Sequence, residues 1–446
     1  MRPPLRIPTG LALALGAMLL LPAPATADTL HAAPDGAGTT CSASAPCELE
    51  AAVEELAVGG DIVVVHPGSY DLGLEQLGVP FDVTVRGRGP GRRPIISSSC
   101  CENPGVASTA VVVGRAAVVR DLQVVHPGGL NGGVALEIPP TNGVPGTAER
   151  VVAIAPTVGC SVAPGEVPTY PPPVVRDSAC VSTGPGGPAV TMNVFPGDLQ
   201  HAADLSGVTA YALGQGAVGL RVGANGTGTG EVAARVGNSI IAGDTVDVRT
   251  VEADDLAATA VLTHSNYATT DSASGGTITP PGTVGNQTDP PLLVDPAAFD
   301  FTQRPGSPTI DAGDDLEALG EFDVEGNPRI FGPAVDIGAH ERLSRCAGKL
   351  PTIVATPGVA TVGTRGRDVI VGTSGPDVIR ARGGRDVICS LGGNDRVNGG
   401  GGKRDMIFGQ GGKDRLRGGA GPRDLCHGGG GRDSAARSCE RVRGTP

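Results

Sequence analysis

Eight aspartates near the C-terminal end carry the most ordered chemistry in this chain. They are Asp368, Asp377, Asp386, Asp395, Asp405, Asp414, Asp424 and Asp433, separated by 9, 9, 9, 10, 9, 10 and 9 residues. Carboxylates held in phase repel one another, so the spacing calls for a counter-charge that oxygen atoms can hold. Two residues after each aspartate stands a single apolar or small residue: Ile370, Ile379, Ile388, Val397, Ile407, Leu416, Cys426 or Ala435. Glycine fills most of the gaps, and each unit reads as a tight turn followed by a short strand with one side chain turned inward.

Upstream, the chemistry-bearing residues are less regular. Asp244, Asp247, Arg249, Glu252, Asp254 and Asp255 form the densest carboxylate cluster with a base beside it, and Asp311, Asp314 and Asp315 form a second. Both read first as solvated loops or coil-capping turns. Of the seven histidines, His66 lies in an HPGSY turn and His340 near the end of the upstream region. None stands in a pattern with a Ser or Cys nucleophile, so turn or surface histidines are expected.

The aspartate stretch resembles the haemolysin-type (RTX) calcium-binding nonapeptide repeat, a parallel β-roll with the pattern GGxGxDxUx, over about the last 80 residues. The resemblance implies calcium as the ion. Calcium takes six to eight oxygens, here from glycine-turn carbonyls and from all eight aspartates. It also implies that two units make one coil, placing Asp368, Asp386, Asp405 and Asp424 on one edge and Asp377, Asp395, Asp414 and Asp433 on the other. Both ten-residue intervals fall on the first edge, where Lys403 and Pro422 stand two residues before the aspartate. The second edge keeps glycine there, as Gly375, Gly393, Gly412 and Gly431, and is expected to hold calcium better. The residue just before the aspartate, often Asn in the family, is here Arg367, Pro376, Arg385, Asn394, Arg404, Lys413, Arg423 or Arg432. Such cations weaken calcium binding where they face the ion.

The elements that position these residues belong to two regions. From Thr29 the sequence resembles the opening of a right-handed parallel β-helix of the pectate-lyase-like type: a first strand, a capping helix near Leu49 to Leu56, then GGDIVVVHPGSY. Val-rich runs recur at Val83 to Arg86, Ala110 to Val113, Val118 to Val125, Val134 to Ile138 and Val151 to Ile154, as stacked parallel strands require. The Pro-rich stretch 156–188 reads as a loop excursion. NSIIAG, THSNY, SPTIDAGDD and GNPRIFGPAVDIGAHE are similar to the closing segment of β-helix proteins of the choice-of-anchor Q type. The expected organisation is a signal peptide over 1–27, a β-helix over 28–342, a linker over 343–363 and a β-roll over 364–446, in an all-β chain.

MRPPLRIPTGLALALGAMLLLPAPATA has the two arginines, apolar run and small-residue site of a secretory signal peptide, which places the protein outside the cell, with no membrane span expected. Ten cysteines then read as disulfides. Proximity pairs Cys41 with Cys47, Cys160 with Cys180 and Cys426 with Cys439. Cys346, Cys389 and the adjacent Cys100 and Cys101 stay unassigned.

From Thr364 onward there are 16 Lys and Arg against 9 Asp and Glu, although the whole chain is acidic at −12. Such a tail suits an anionic polymer. With aromatics at 2% and no tryptophan, base-stacking platforms are scarce, and nucleic acid is not expected as a partner. Cell-wall or extracellular polysaccharide remains, and surface or matrix binding is the leading role. The alternative is a polysaccharide lyase or glycoside hydrolase on the β-helix. The WiDH-type motif of pectate lyases and the NTD, GHG and RIK set of polygalacturonases are both missing from the sequence.

Overall fold

The computed structural model describes residues 27–444 apart from 89–92, 99–107, 129–131, 141–142, 164, 168–169, 195–199, 225–228, 253–254, 318–319, 332–333, 344, 357 and 374. The expected signal sequence up to residue 26, and Cys100 and Cys101, lie outside the described residues. The chain is all-β, a parallel β-helix followed by a parallel β-roll.

Three long sheets make the β-helix, and successive coils contribute one strand to each. The first runs from Thr29–Ala32 to Thr277–Ile278, the second from Leu77–Val79 to Thr270–Ser274, and the third from Ser69–Asp71 to Ile240–Ala242. Pairing is parallel throughout, except where Gly165–Val167 runs antiparallel to Gln200–Ser206. Because coil stacks on coil, inward side chains form ladders. Val63, Val85, Val119, Ala148, Val175, Leu205, Val236 and Leu262 are register partners in sequence, and all are buried. The alternation of the short Val-rich runs thus becomes a continuous apolar column. At the open N-terminal end the helix Ala51–Leu56 buries Ala52 and Val53 against this column, as a cap.

In six successive coils one residue turns the chain from the first sheet toward the third. Asp121, Arg150, Asp177, Gly207, Asn238 and His264 occupy that place, all with positive φ between 43° and 61°. The left-handed backbone folds the strand sharply without an added loop. The segment after Asp300 returns along this column of turns.

Residues 156–188 are not a loop excursion. They supply Val158–Val162, Val174–Arg176 and Ala179–Ser182, one strand to each sheet. Pro156 occupies a bend and Pro171 to Pro173 precede a strand, where a missing N–H interrupts no ladder, so a high proline count is compatible with a regular coil.

The β-roll has a six-stranded sheet from Ile353–Val354 to Arg441–Arg443 and a five-stranded sheet from Thr361–Val362 to Ser434–Ala435. Its first coil therefore begins within 343–363, where no aspartate marks the phase. Ile370, Ile388, Ile407 and Cys426 stack on one side and Ile379, Val397, Leu416 and Ala435 on the other, as two repeats per coil require. Disulfides join Cys41–Cys47, Cys160–Cys180 and Cys426–Cys439, and a fourth joins Cys346–Cys389. The last ties the approach to the roll onto its first sheet, where Phe331 belongs to the same apolar cluster as Val369, Val371 and Val387.

Candidate metal centre

The turns between the two sheets of the roll stack because glycine recurs in register. A side chain on Gly384, Gly402 or Gly421 would overlap the carbonyl of the glycine one coil earlier, and the same holds for Gly393, Gly412 and Gly431. At Lys403 and Pro422, where glycine was read as replaced, the stacking position is held by Gly402 and Gly421. The extra residue is inserted after it. The first edge is widened there without losing its glycine column.

Behind each glycine column runs a ladder of aspartates. On the first edge the N–H groups of Asp368, Asp386 and Asp405 donate to Oδ1 of Asp386, Asp405 and Asp424 at 2.9, 2.9 and 3.0 Å. On the second edge Asp377, Asp395 and Asp414 donate likewise to Asp395, Asp414 and Asp433 at 2.9, 3.0 and 2.9 Å. The two edges that the resemblance implies are therefore present. In the six accepting carboxylates Oδ1 fixes the stack, and the other oxygen is left for a different task.

Oδ2 of Asp386, Asp395, Asp405, Asp414, Asp424 and Asp433 is buried without a hydrogen-bond partner. A buried anionic oxygen without a partner is costly unless a cation meets it. Glycine makes room beside several of these atoms. A Cβ on Gly399 would lie 2.9 Å from Asp405 Oδ2, and one on Gly409 would overlap Asp414 Oδ2. A row of unpartnered carboxylate oxygens, lined by glycines whose carbonyls are unscreened by side chains, suits a hard divalent cation.

Two of the eight aspartates differ. Oδ2 of Asp368 accepts Thr364 N–H at 2.7 Å and the Thr364 hydroxyl at 3.1 Å. Asp377 is closed in the same way by Thr373, at 2.6 and 3.2 Å. A threonine four residues before the aspartate is the mark in the sequence that sets these two apart. The unpartnered oxygens are divided three and three, so in this respect the second edge has no advantage.

Burial raises the carboxyls of Asp377, Asp386, Asp414 and Asp424 above the usual range and pushes Asp395 and Asp405 up to about 6. For Asp395, Asp405 and Asp386, neighbouring carboxylates of the ladder add to the rise. The stack resists holding its own negative charge.

The two upstream clusters are occupied by backbone. Asp247 accepts N–H groups of Gly243, Ala268 and Thr269, Asp244 accepts Gly216 N–H, and Arg249 pairs with Asp271 at 2.9 Å. Asp254 lies outside the described residues. Asp315 accepts Val335 N–H and Asp314 caps its own turn at Leu316. Asp244, Asp247, Asp314 and Asp315 are turn-capping groups. His340 is not at the surface: it is buried, and desolvation holds it near 3, so it is neutral.

A buried clasp on the β-helix has no local signature in the sequence. Arg329 Nε donates to Asp177 Oδ1 at 2.7 Å and Nη1 to Glu341 Oε2 at 3.2 Å, while Nη2 reaches the Gly338 carbonyl at 2.7 Å. Gly207 in the turn column makes this possible, since a Cβ there would stand 2.6 Å from Nη2. Arg329 thereby locks the returning segment onto the turns of the third sheet. Asn238 and Ser206 hold the same segment through Asp314 and the Glu317 carbonyl.

Residues 362–397, 392–425 and 399–435 match the family described as RTX calcium-binding nonapeptide repeat (4 copies). The roll thus carries calcium-binding RTX repeats. No curated protein matches the chain. Among solved structures, the pectate lyase Pel9A is similar at TM-score 0.40 and 14% identity, over 72% of this chain and 97% of that one. A rhamnogalacturonan lyase is similar at 0.26 and 9%, over 90% and 74%. The A-module of Azotobacter vinelandii mannuronan C-5 epimerase AlgE6 is similar at 0.24 and 12%, over 89% and 92%.

Proposed function

We infer that Asp386, Asp395, Asp405, Asp414, Asp424 and Asp433 hold calcium, whereas Asp368 and Asp377 are closed by Thr364 and Thr373 instead. The protein acts outside the cell. Calcium stiffens the roll, and the β-helix serves in binding a surface or matrix, with cell-wall or extracellular polysaccharide as the partner. The observation that carries the calcium sites is the set of six buried, unpartnered Oδ2 atoms in two ladders. Bound calcium supplies the positive charge these atoms lack, and an ion that binds only the folded stack stabilises it by mass action.

The test is a calorimetric calcium titration of the full mature chain, followed in parallel by far-UV circular dichroism. Uptake of several ions with a gain of β-signal or of thermal stability is expected. No heat and no change in either signal would overturn the reading. An assay for unsaturated or reducing-end products on acidic polysaccharides distinguishes a binding role from a lyase or hydrolase.

A further inference from the structure

The roll separates its charges. Eight of its nine acidic residues from Thr364 onward are the turn aspartates, and all of these except the half-buried Asp433 are buried, whereas its 16 Lys and Arg face outward for the most part. The first edge concentrates them. Around the two inserted residues lies a trough of 1180 Å³ with a floor of Gly384, Gly401, Gly402 and Gly421 and a rim of Arg385, Lys403, Arg404 and Arg423. No carboxylate lines it. All four cations are exposed, and among the described residues none is in an ion pair.

The arginines are in register. Each precedes a ladder aspartate, and the strands that follow pair as Val387 with Met406 and Met406 with Leu425. Adjacent strands lie about 4.8 Å apart, so the rim presents one guanidinium per coil at roughly that interval along the stack. Arg404 and Arg423 hold φ of 66° and 75°, which keeps their side chains in the same setting in successive coils. The widening by Lys403 and Pro422 gives the trough its breadth, and the glycine floor lets a polymer chain approach the backbone.

We propose that this trough binds a linear carboxylated polysaccharide, lying along the stack with its carboxylates on the arginine row. Arginine is suited to carboxylate through paired N–H donors. A single-stranded nucleic acid fits less well, because from Thr364 onward Phe408 is the one aromatic residue and it lies outside the trough. The proposal rests on the calcium-bound roll inferred above and adds a linkage to it. Calcium in the aspartate ladders raises the positive potential under the arginine row, so polymer and calcium favour each other's binding, reciprocally.

The test uses the full mature chain and galacturonate oligosaccharides too short to gel with calcium. Calcium uptake is first measured alone by calorimetry, so that failure of the calcium reading is seen separately. With calcium present, Arg404→Asn/Arg423→Asn is expected to weaken oligosaccharide binding tenfold or more and to flatten its salt dependence. Asn tolerates positive φ, so the turn is preserved. Calcium binding by this variant, without oligosaccharide, should be equal to or tighter than that of the parent, a result that general damage to the roll does not produce. Lys403→Gln should show a smaller loss and Arg417→Gln, on the outer sheet face, none. Parent-like affinity in the double variant would overturn the proposal, as would equal affinity for a thymidine oligonucleotide.

Discussion

Asp377 and Asp395 are successive rungs of the second ladder: Asp395 Oδ1 accepts the Asp377 N–H and its Oδ2 is unpartnered, whereas the Asp377 carboxylate is closed by the Thr373 hydroxyl and N–H. If the unpartnered oxygen is the ligand, Asp395→Ala and Asp405→Ala each lower the number of calcium ions bound, and Asp377→Ala leaves it unchanged. Calorimetric stoichiometry decides. Equal losses from all three would mean that ladder position matters and the threonine closure does not. Glycine offers a second check at this scale. A methyl group at Gly409 occupies the space beside Asp414 Oδ2, whereas one at Gly366 meets only Thr364 Oγ1 at 3.5 Å. Gly409→Ala is expected to reduce calcium affinity at least tenfold and Gly366→Ala to leave it near the parent value.

The returning segment of the β-helix depends on Arg329, which is 1% exposed between Asp177 and Glu341. Replacing it by Met leaves two buried carboxylates without their cation, a loss of about 3–5 kcal/mol. The loss should vary with pH. Burial raises Asp177 to about 6 from 3.8, and raises Asp323, Asp336 and Glu341 as well. The folded chain therefore holds more protons than the unfolded one from about pH 4 upward, and this part of its stability falls as pH rises through 6. His340 opposes the trend, because its folded value near 3 costs stability as pH falls below 6.5. In Arg329→Met the carboxyls rise further, so the deficit in the β-helix transition should be larger at pH 8 than at pH 5. Equal deficits would assign the loss to packing. The clasp also marks the limit of what was legible. Aspartate phase located both ladders, and proximity found three disulfides, because those relations are local in sequence. Arg329 and Asp177 are 152 residues apart and meet only through the coil stack. The strands of 156–188 are hidden in the sequence because prolines at a bend and before a strand raise the proline count without breaking a ladder.

Across the molecule, stability is built coil upon coil, and in a solenoid each coil rests mainly on its neighbours. The β-helix has one continuous apolar column, whereas the roll has a narrow core ending in Cys426 and Cys439. All eight ladder aspartates are in the roll, and among the described residues Phe331 shares a small apolar cluster with Val369, Val371 and Val387 of the roll, which also holds Cys346 and Cys389 of the disulfide. Such a joint is small beside the strand pairing within either stack, so the two parts should unfold separately. Differential scanning calorimetry in chelator is expected to show two transitions, the lower belonging to the roll. Calcium at 100 times its dissociation constant adds about 2.7 kcal/mol per site to the folded roll. The lower transition should therefore climb steeply with calcium while the upper one stays in place, until the two meet. A single transition that moves as a whole with calcium would show instead that the joint transmits the ladder's stability into the β-helix, making the calcium sites a control on the entire chain.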